Sequence, residues 1–306
     1  MRILVTGGAG FIGSHVARAY VEAGHEVAVI DNLSSGHREN VPPGARFVEA
    51  DIRTPTGAAA ISEFRPELIN HHAAQMNVRV SVDDPRFDAD VNVLGLINLV
   101  EAGRKAGLRR VVFASSGGTV YGEPETLPCT ERHPTRPVCP YGVSKLTGEH
   151  YLYYYQKIHG IEYVALRYAN VYGPLQDPHG EAGVIAIFST NLLAGRNVTI
   201  FGDGLQTRDY VFVGDVVRAN LAAATGTYQG PVNIGTGRET NVVDLCRRIQ
   251  ASVGGSGAAI HGPAKDGEVR RSVLDVSFAK QALGWSPRIS LDEGLATTVD
   301  FFRSRP

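Results

Sequence analysis

The stretch CPYGVSKLTGEHYLYYY places Tyr141 and Lys145 four residues apart, at the head of a segment that reads as helix from Val143 to Tyr155. On a helix that spacing puts both side chains on one face. A phenol and an ammonium held side by side make a proton-transfer pair. A free tyrosine titrates near about 10, so taking a proton near neutral pH requires its phenolate to be stabilised by a few kcal/mol, which a fixed cation supplies. Taken alone, the same spacing also describes a solvated Tyr and Lys on an amphipathic helix. The rest of the chain separates the two readings.

A second group of residues has a spacing with mechanical meaning. TGGAGFIG sets Gly7, Gly10 and Gly13 three residues apart, directly after the apolar run RILVT and before an apolar helix. Gly7 allows a tight turn and Gly10 lets backbone N–H groups approach a pyrophosphate. Gly13 lets the helix pack close on the strand, with its N-terminus facing the anion. Because the triplet follows a strand and opens a helix, it points to a dinucleotide rather than an ordinary glycine turn. The next strand, EVAVIDN, ends in Asp31, placed to bind the adenosine ribose hydroxyls. Its carboxylate would repel a 2′-phosphate, so the expected cofactor is NAD rather than NADP. Further strand ends supply Asp51 for the adenine, and Ala73 and Ala74, whose small side chains admit the cofactor closely. The adjacent His71 and His72 look like metal ligands. Neighbours on a strand face opposite ways, however, and no third ligand stands near, so no metal is expected.

These groups need elements to hold them. Short β-branched runs (RILVT, EVAVID, RFVEAD, ELINHHAA, RRVVFASS, EYVALRY) alternate with longer helical patterns, including one near 56–64 and an amphipathic stretch from about Asp83 to Gly107. That rhythm gives an α/β fold, a Rossmann-type doubly wound parallel sheet with helices on both faces. After Tyr168 the chain turns to VYGPLQDPHGEAG, then a helix, GVIAIFSTNLLAG, and the short strands VTIFG and DYVFV, which read as a smaller C-terminal substrate-binding lobe. The nucleotide part is expected over residues 1–170, rejoined by about 209–237, with 171–208 and 238–306 forming the lobe.

The totals exclude several classes. A chain of 306 residues with 43% hydrophobic residues holds one large or two modest cores, and a net charge of −1 gives no general attraction for nucleic acid or an anionic membrane. Cys129, Cys139 and Cys246 are odd in number, widely spaced and free of any CxxC pattern, which argues against a disulfide framework or a zinc site; a reducing cytoplasm is the expected compartment. MRILVTGGAGFIG reads as a first strand and its glycine turn rather than a secretory signal or membrane span.

The motifs TGGAGFIG, DNLSSG, HHAAQ, SSGGTVYG, YGVSK, LRYANVYGP, TRDYVFVGDV and ALGWSP, spread over essentially the whole chain, resemble the extended short-chain dehydrogenase/reductases. Within them the chain is similar to the UDP-galactose (UDP-glucose) 4-epimerases and their sugar-nucleotide relatives. The resemblance implies Tyr141 as acid/base, with Lys145 beside it and the nicotinamide ribose. It extends the cofactor set to Phe11, Ile12, Asn32, Ile52, Gln75, Asn92 and Tyr168. The implied reaction removes the proton of a sugar 4-hydroxyl and the C4 hydride together, giving a 4-ketosugar, and returns the hydride to the opposite face.

In this family a Ser or Thr usually sits three residues before VYG; here Gly117 stands there, leaving Ser116 or Thr119 to supply the hydroxyl. The related 4,6-dehydratases carry an acidic residue in this motif, and this chain has none. The resemblance places Asn170 near the sugar nucleotide and Arg208 near its phosphates. Lys265 and Glu268 stand where the family usually has an Arg and an Asp for the diphosphate and uridine ribose. Lys lacks the guanidinium fork, so Arg270 is a further phosphate candidate. His179 and Glu181, in QDPHGEAG, lie under the nucleotide or order a turn. Ser272 matches a bulky Tyr that excludes N-acetylated sugars, which implies room for UDP-N-acetylgalactosamine and its epimer. The helices near 83–107 and 142–158 are those that related enzymes pack into a homodimer. Neighbouring activities with the same motifs are a UDP-glucuronate epimerase or decarboxylase, a sugar-nucleotide reductase and a non-catalytic NAD sensor.

Overall fold

The computed structural model describes residues 1–179, 183–254, 257–264 and 269–305. The chain opens as β1 (Arg2–Thr6), α1 (Phe11–Glu22), β2 (Glu26–Asp31), β3 (Arg46–Glu49), α2 (Pro55–Phe64) and β4 (Leu68–His71). Then come α3 (Val78–Asp83), α4 (Pro85–Ala89), a π turn over Asp90–Leu94, α5 (Gly95–Ala106), β5 (Arg110–Ser116), α6 (Pro140–His159) and β6 (Glu162–Tyr168). The later elements are β7 (Asn170–Tyr172), α7 (Val184–Leu193), β8 (Val198–Phe201), β9 (Thr207–Phe212), α8 (Val213–Thr225) and β10 (Gly230–Ile234). The last are β11 (Glu239–Asn241), α9 (Val242–Val253), β12 (Ala259–Gly262), α10 (Ser277–Leu283) and α11 (Leu291–Arg303).

The large sheet runs β10-β6-β5-β4-β1-β2-β3, with every pairing parallel. Its strands are buried on both faces, which is why RILVT and RVVFASS show no polar alternation. One face packs on α1 and α8 through Val16, Tyr20, Val216 and Ala219, and the other on α2, α5 and α6 through Ile61, Leu99 and Leu152. Strand order reverses between β1 and β4, which opens a crevice at the strands' carboxyl ends, the place where such sheets bind ligands.

A three-stranded sheet, β11-β9-β7, and the pair β12-β8 lie with α7, α9 and α11 around a separate apolar core that includes Ile185, Phe188, Leu245, Ile249, Leu295 and Val299. The helix read from Val143 to Tyr155 extends from Pro140 to His159. Pro140, preceded by an extended Cys139, has no N–H to lose at the first helical position, and Gly160 at φ 68° ends the helix by donating to Gln156. Tyr141 therefore lies in the first turn. The amphipathic stretch near 83–107 is not one α-helix: the Asp84 side chain caps α4 at Phe87 N, and the π turn interrupts the α-helical bonding before α5. Among the described residues, no helix is long and apolar enough to cross a membrane.

Candidate active site

The crevice begins at the glycine turn. Gly7 has φ +67°, and a Cβ there would lie 2.6 Å from the backbone nitrogen of Ala73 across the strand reversal. A Cβ on Gly13 would sit 2.2 Å from the Gly7 carbonyl oxygen, so only glycine lets α1 approach the turn this closely. Gly10 precedes α1 with no side-chain cap, and the first turn, which carries Phe11 and Ile12, has no acidic residue. The helix N-terminus is thus left with backbone N–H groups and a positive dipole end for an anion. Asp31, at the end of β2, accepts from Ala9 N at 3.0 Å and Leu33 N at 2.8 Å, fixing the carboxylate at the rim with lone pairs remaining.

Beyond it, Asn32 donates to Asp51 at 3.2 Å. Asp51 is engaged by Arg53, whose hydrogen bonds hold its carboxyl down at about 2. Ile52 is buried against Gly95. Ala73 and Ala74 follow β4. Gln75 N donates to Asn92 Oδ1 and Asn92 Nδ2 donates back to Gln75 O, each at 2.9 Å. Tyr168 is buried, accepting from Asn220 at 2.8 Å and stacking on His72. His71 instead stacks on Phe113 and bonds Thr6 Oγ1 at 2.6 Å. Burial lowers both histidines, His72 to about 3. Among the described residues, no three His, Cys, Asp or Glu converge as a metal site.

Tyr141 and Lys145 meet β5 beside this crevice. The Lys145 ammonium donates to Ala114 O at 2.9 Å, and lies 5.0 Å from the Phe113 ring centroid and 5.6 Å from that of Tyr141. Burial pushes Lys145 down to about 8, against the opposing pull of Asp88. Burial also raises the Tyr141 phenol, as do Asp88 and Cys139, while a hydrogen bond with the Ser116 side chain works the other way. Of the two hydroxyls left open by the sequence, Ser116 is therefore the one brought to Tyr141; Thr119 Oγ1 is buried without a hydrogen-bond partner among the described residues. Gly117 has a packing reason: a Cβ there would lie 2.6 Å from Leu274 Cδ1 and 3.1 Å from Arg167 O.

Two supports escaped the sequence reading. Behind Ser116, Glu149 of α6 forms a buried ion pair with Arg167 of β6 at 2.6 Å and accepts from Ser115 at 2.5 Å. Asp209 of β9 accepts from Thr236 N at 2.8 Å, Thr236 Oγ1 at 2.5 Å and Gly237 N at 3.1 Å, fixing the turn after β10. On the lobe side, Asn170 begins β7, and Arg208 on β9 donates to Thr207 O at 2.8 Å. Ser272 N donates to Thr207 O at 3.3 Å. Arg270 grips Asp203 with two bonds of 2.7 and 2.8 Å. His179 N donates to Asp177 at 2.8 Å, the arrangement of an ordered turn. Lys265, Glu268 and Glu181 lie outside the described residues.

The model of the family described as "NAD dependent epimerase/dehydratase family" matches residues 3–235. A UDP-glucose 4-epimerase of Mycolicibacterium smegmatis is 49% identical over 311 residues, covering 100% of this chain and 99% of that one. Among solved structures, a UDP-glucose 4-epimerase of Thermotoga maritima with UDP-glucose superposes with a TM-score of 0.97 at 47% identity, covering 99% of both chains. A UDP-glucose 4-epimerase of Thermus thermophilus in complex with NAD gives a TM-score of 0.95 at 46% identity, covering 100% of both.

Proposed function

The chain belongs to the NAD dependent epimerase/dehydratase family, and from that premise we propose that it inverts C4 of a UDP-hexose, interconverting UDP-galactose and UDP-glucose through a 4-ketosugar. The observation that carries this reading is the Tyr141–Lys145–Ser116 cluster at the edge of a crevice shaped for a dinucleotide. Full-length similarity to proteins named UDP-glucose 4-epimerase favours it over a uronate enzyme or a non-catalytic sensor.

The crevice suits NAD. Gly7, Gly10 and the first amides of α1 would take the pyrophosphate, and Asp31 the adenosine ribose hydroxyls. NAD bound there would supply a hydride acceptor and donor for C4, and in its oxidised form a positive ring beside the phenol. Tyr141, held as phenolate by the Lys145 ammonium, takes the proton of the sugar 4-hydroxyl and becomes the neutral phenol. Ser116 donates to the same sugar oxygen as its charge changes. After the ketosugar turns over about its phosphate linkage, Tyr141 gives the proton back to that oxygen.

The cofactor is assigned to residues 1–170 with about 209–237, and the sugar nucleotide to 171–208 with 238–306. Asn170, Arg208 and Ser272 face the latter, and Arg270 joins them by exchanging Asp203 for phosphate. The chain works in the cytoplasm as a homodimer joined through the faces of α5, the π turn before it and α6, where Leu94, Val143, Tyr151 and Ile158 are exposed; sedimentation at a monomer mass removes that assignment. The function itself is tested by incubating the purified protein with UDP-galactose and resolving the products chromatographically. Conversion to UDP-glucose by the native chain, and none by a Tyr141→Phe variant that still holds NAD, is the expected outcome. No conversion by the native chain, with NAD added, overturns it.

A further inference from the structure

Asp88, on α4, is fully buried and belongs to no group that the proposed chemistry uses. Other buried carboxylates have evident employment: Glu149 faces Arg167, Asp215 faces Arg218, and Asp209 closes a backbone turn. Asp88 instead collects three neutral donors from three separate parts of the chain. Its Oδ1 accepts from Gln75 Nε2 and from Asn92 Nδ2, each at 3.0 Å, and its Oδ2 accepts from Ser144 Oγ at 2.6 Å.

The three donors are informative because of where they stand. Gln75 belongs to the segment that leaves β4 at the strand reversal, and its own side chain is pinned by Asn77 at 2.6 and 2.9 Å. Asn92 lies in the π turn and is tied to the Gln75 backbone through both ends of its amide. Ser144 sits on α6 between Tyr141 and Lys145. One carboxylate thus joins the crevice wall, the π turn and the turn of helix that carries the acid/base pair. Hydrogen bonds to a carboxylate are shorter and about twice as strong as neutral ones, and the Ser144 contact is the shortest of the three.

We propose that Asp88 is a positioning residue for the acid/base pair: through Ser144 it fixes α6 against the Gln75 and Asn92 segments, and its negative charge sets where the protons of Tyr141 and Lys145 reside. The direction of its influence on both groups agrees, since Asp88 opposes the phenolate and favours the ammonium. The groups around the pair are Cys139 just before α6, His71 and His72 at the end of β4, and Asp88 itself. Among those influences Asp88 is the one that acts on both members.

The inference rests on the epimerase reading for its kinetic test, so a spectroscopic one stands beside it. Asp88→Asn keeps the shape and removes the charge; Ser144→Ala keeps the charge and removes the tether. In the C4-epimerisation assay Ser144→Ala is expected to lose kcat by roughly tenfold to a hundredfold, as small misplacements of reacting groups do, and Asp88→Asn to lose it near neutral pH because Lys145 holds its proton less well, with NAD content unchanged in both. Only Asp88→Asn is expected to move both limbs of the pH–kcat profile to lower pH, because losing the anion makes Tyr141 a stronger acid and Lys145 a weaker base. Phenolate absorbance, taken as the difference between Asp88→Asn and the same variant carrying Tyr141→Phe, is expected to show Tyr141 titrating lower than in the native chain. That optical shift tests Asp88 even if the native chain turns over no UDP-hexose, the result that would instead sink the epimerase reading. Native kcat and fixed limbs in Asp88→Asn, or lost kcat with limbs and phenol both unmoved, overturn the proposal. Should Asp88→Asn fail to fold, native kcat in Ser144→Ala overturns the tether.

Discussion

Replacing Lys145 by Met keeps an unbranched apolar stem and deletes the charge beside the phenol. The ammonium stands 5.6 Å from the Tyr141 ring centroid. With that as the charge separation and an effective dielectric of about 20, its attraction for a phenolate is about 3 kcal/mol, or about two pH units. The variant's kcat with UDP-galactose near neutral pH is therefore expected to fall by about a hundredfold. The deficit also has a pH signature. Burial holds Lys145 near about 8, so its proton is present below that pH and lost as pH rises through it. The native rate advantage should then shrink above about 8, with the two profiles converging. The assay is initial-rate chromatography at saturating UDP-galactose across this range, with NAD content measured on each sample. A variant within about threefold of the native rate at neutral pH, or a rate ratio that stays constant with pH, would refute the electrostatic role.

Four further outcomes follow from particular contacts. Glu149→Ala leaves the buried Arg167 guanidinium without its carboxylate, a loss of about 3–5 kcal/mol; for a chain of 306 residues this lowers Tm by about 5–8 °C in a calorimetric melt. Gly13→Ala puts a Cβ 2.2 Å from Gly7 O, so the purified variant should retain less NAD by absorbance. Gly117→Ser meets Leu274 Cδ1 at 2.6 Å and is expected to cost about 1–3 kcal/mol in a denaturant titration, with much of the loss recovered by adding Leu274→Ala. Ser272→Tyr should suppress turnover of UDP-N-acetylgalactosamine more than that of UDP-galactose; equal losses would remove Ser272 from the sugar pocket.

What the sequence discloses is what local spacing encodes. The glycine triplet, the terminal Asp31 of β2 and the Tyr–Lys pair each sit within one element or its turn, and the β-branched runs declare a sheet buried on both faces. The true start of α6 was also within reach, since Pro140 is a recognised first residue of a helix. What stayed hidden depends on residues far apart in the chain. Asp88 and Ser144 are separated by 56 positions, and no pattern around either marks them as partners. The choice between Ser116 and Thr119 turns on which hydroxyl the β5 end aims at α6, and Gly117 is explained only by Leu274 packing over it. The lobe's small sheets are likewise assembled from short strands scattered between Asn170 and Gly262, where pairing rather than composition decides the outcome.

In the proposed reaction the hydride that leaves C4 returns to the same carbon within one binding event. UDP-galactose carrying deuterium at C4, incubated with the enzyme in ordinary water and read by NMR or mass spectrometry of the UDP-glucose formed, tests this directly. Full retention of deuterium at C4 is the expected result. Its replacement by solvent hydrogen would show that the hydride leaving C4 does not return to it.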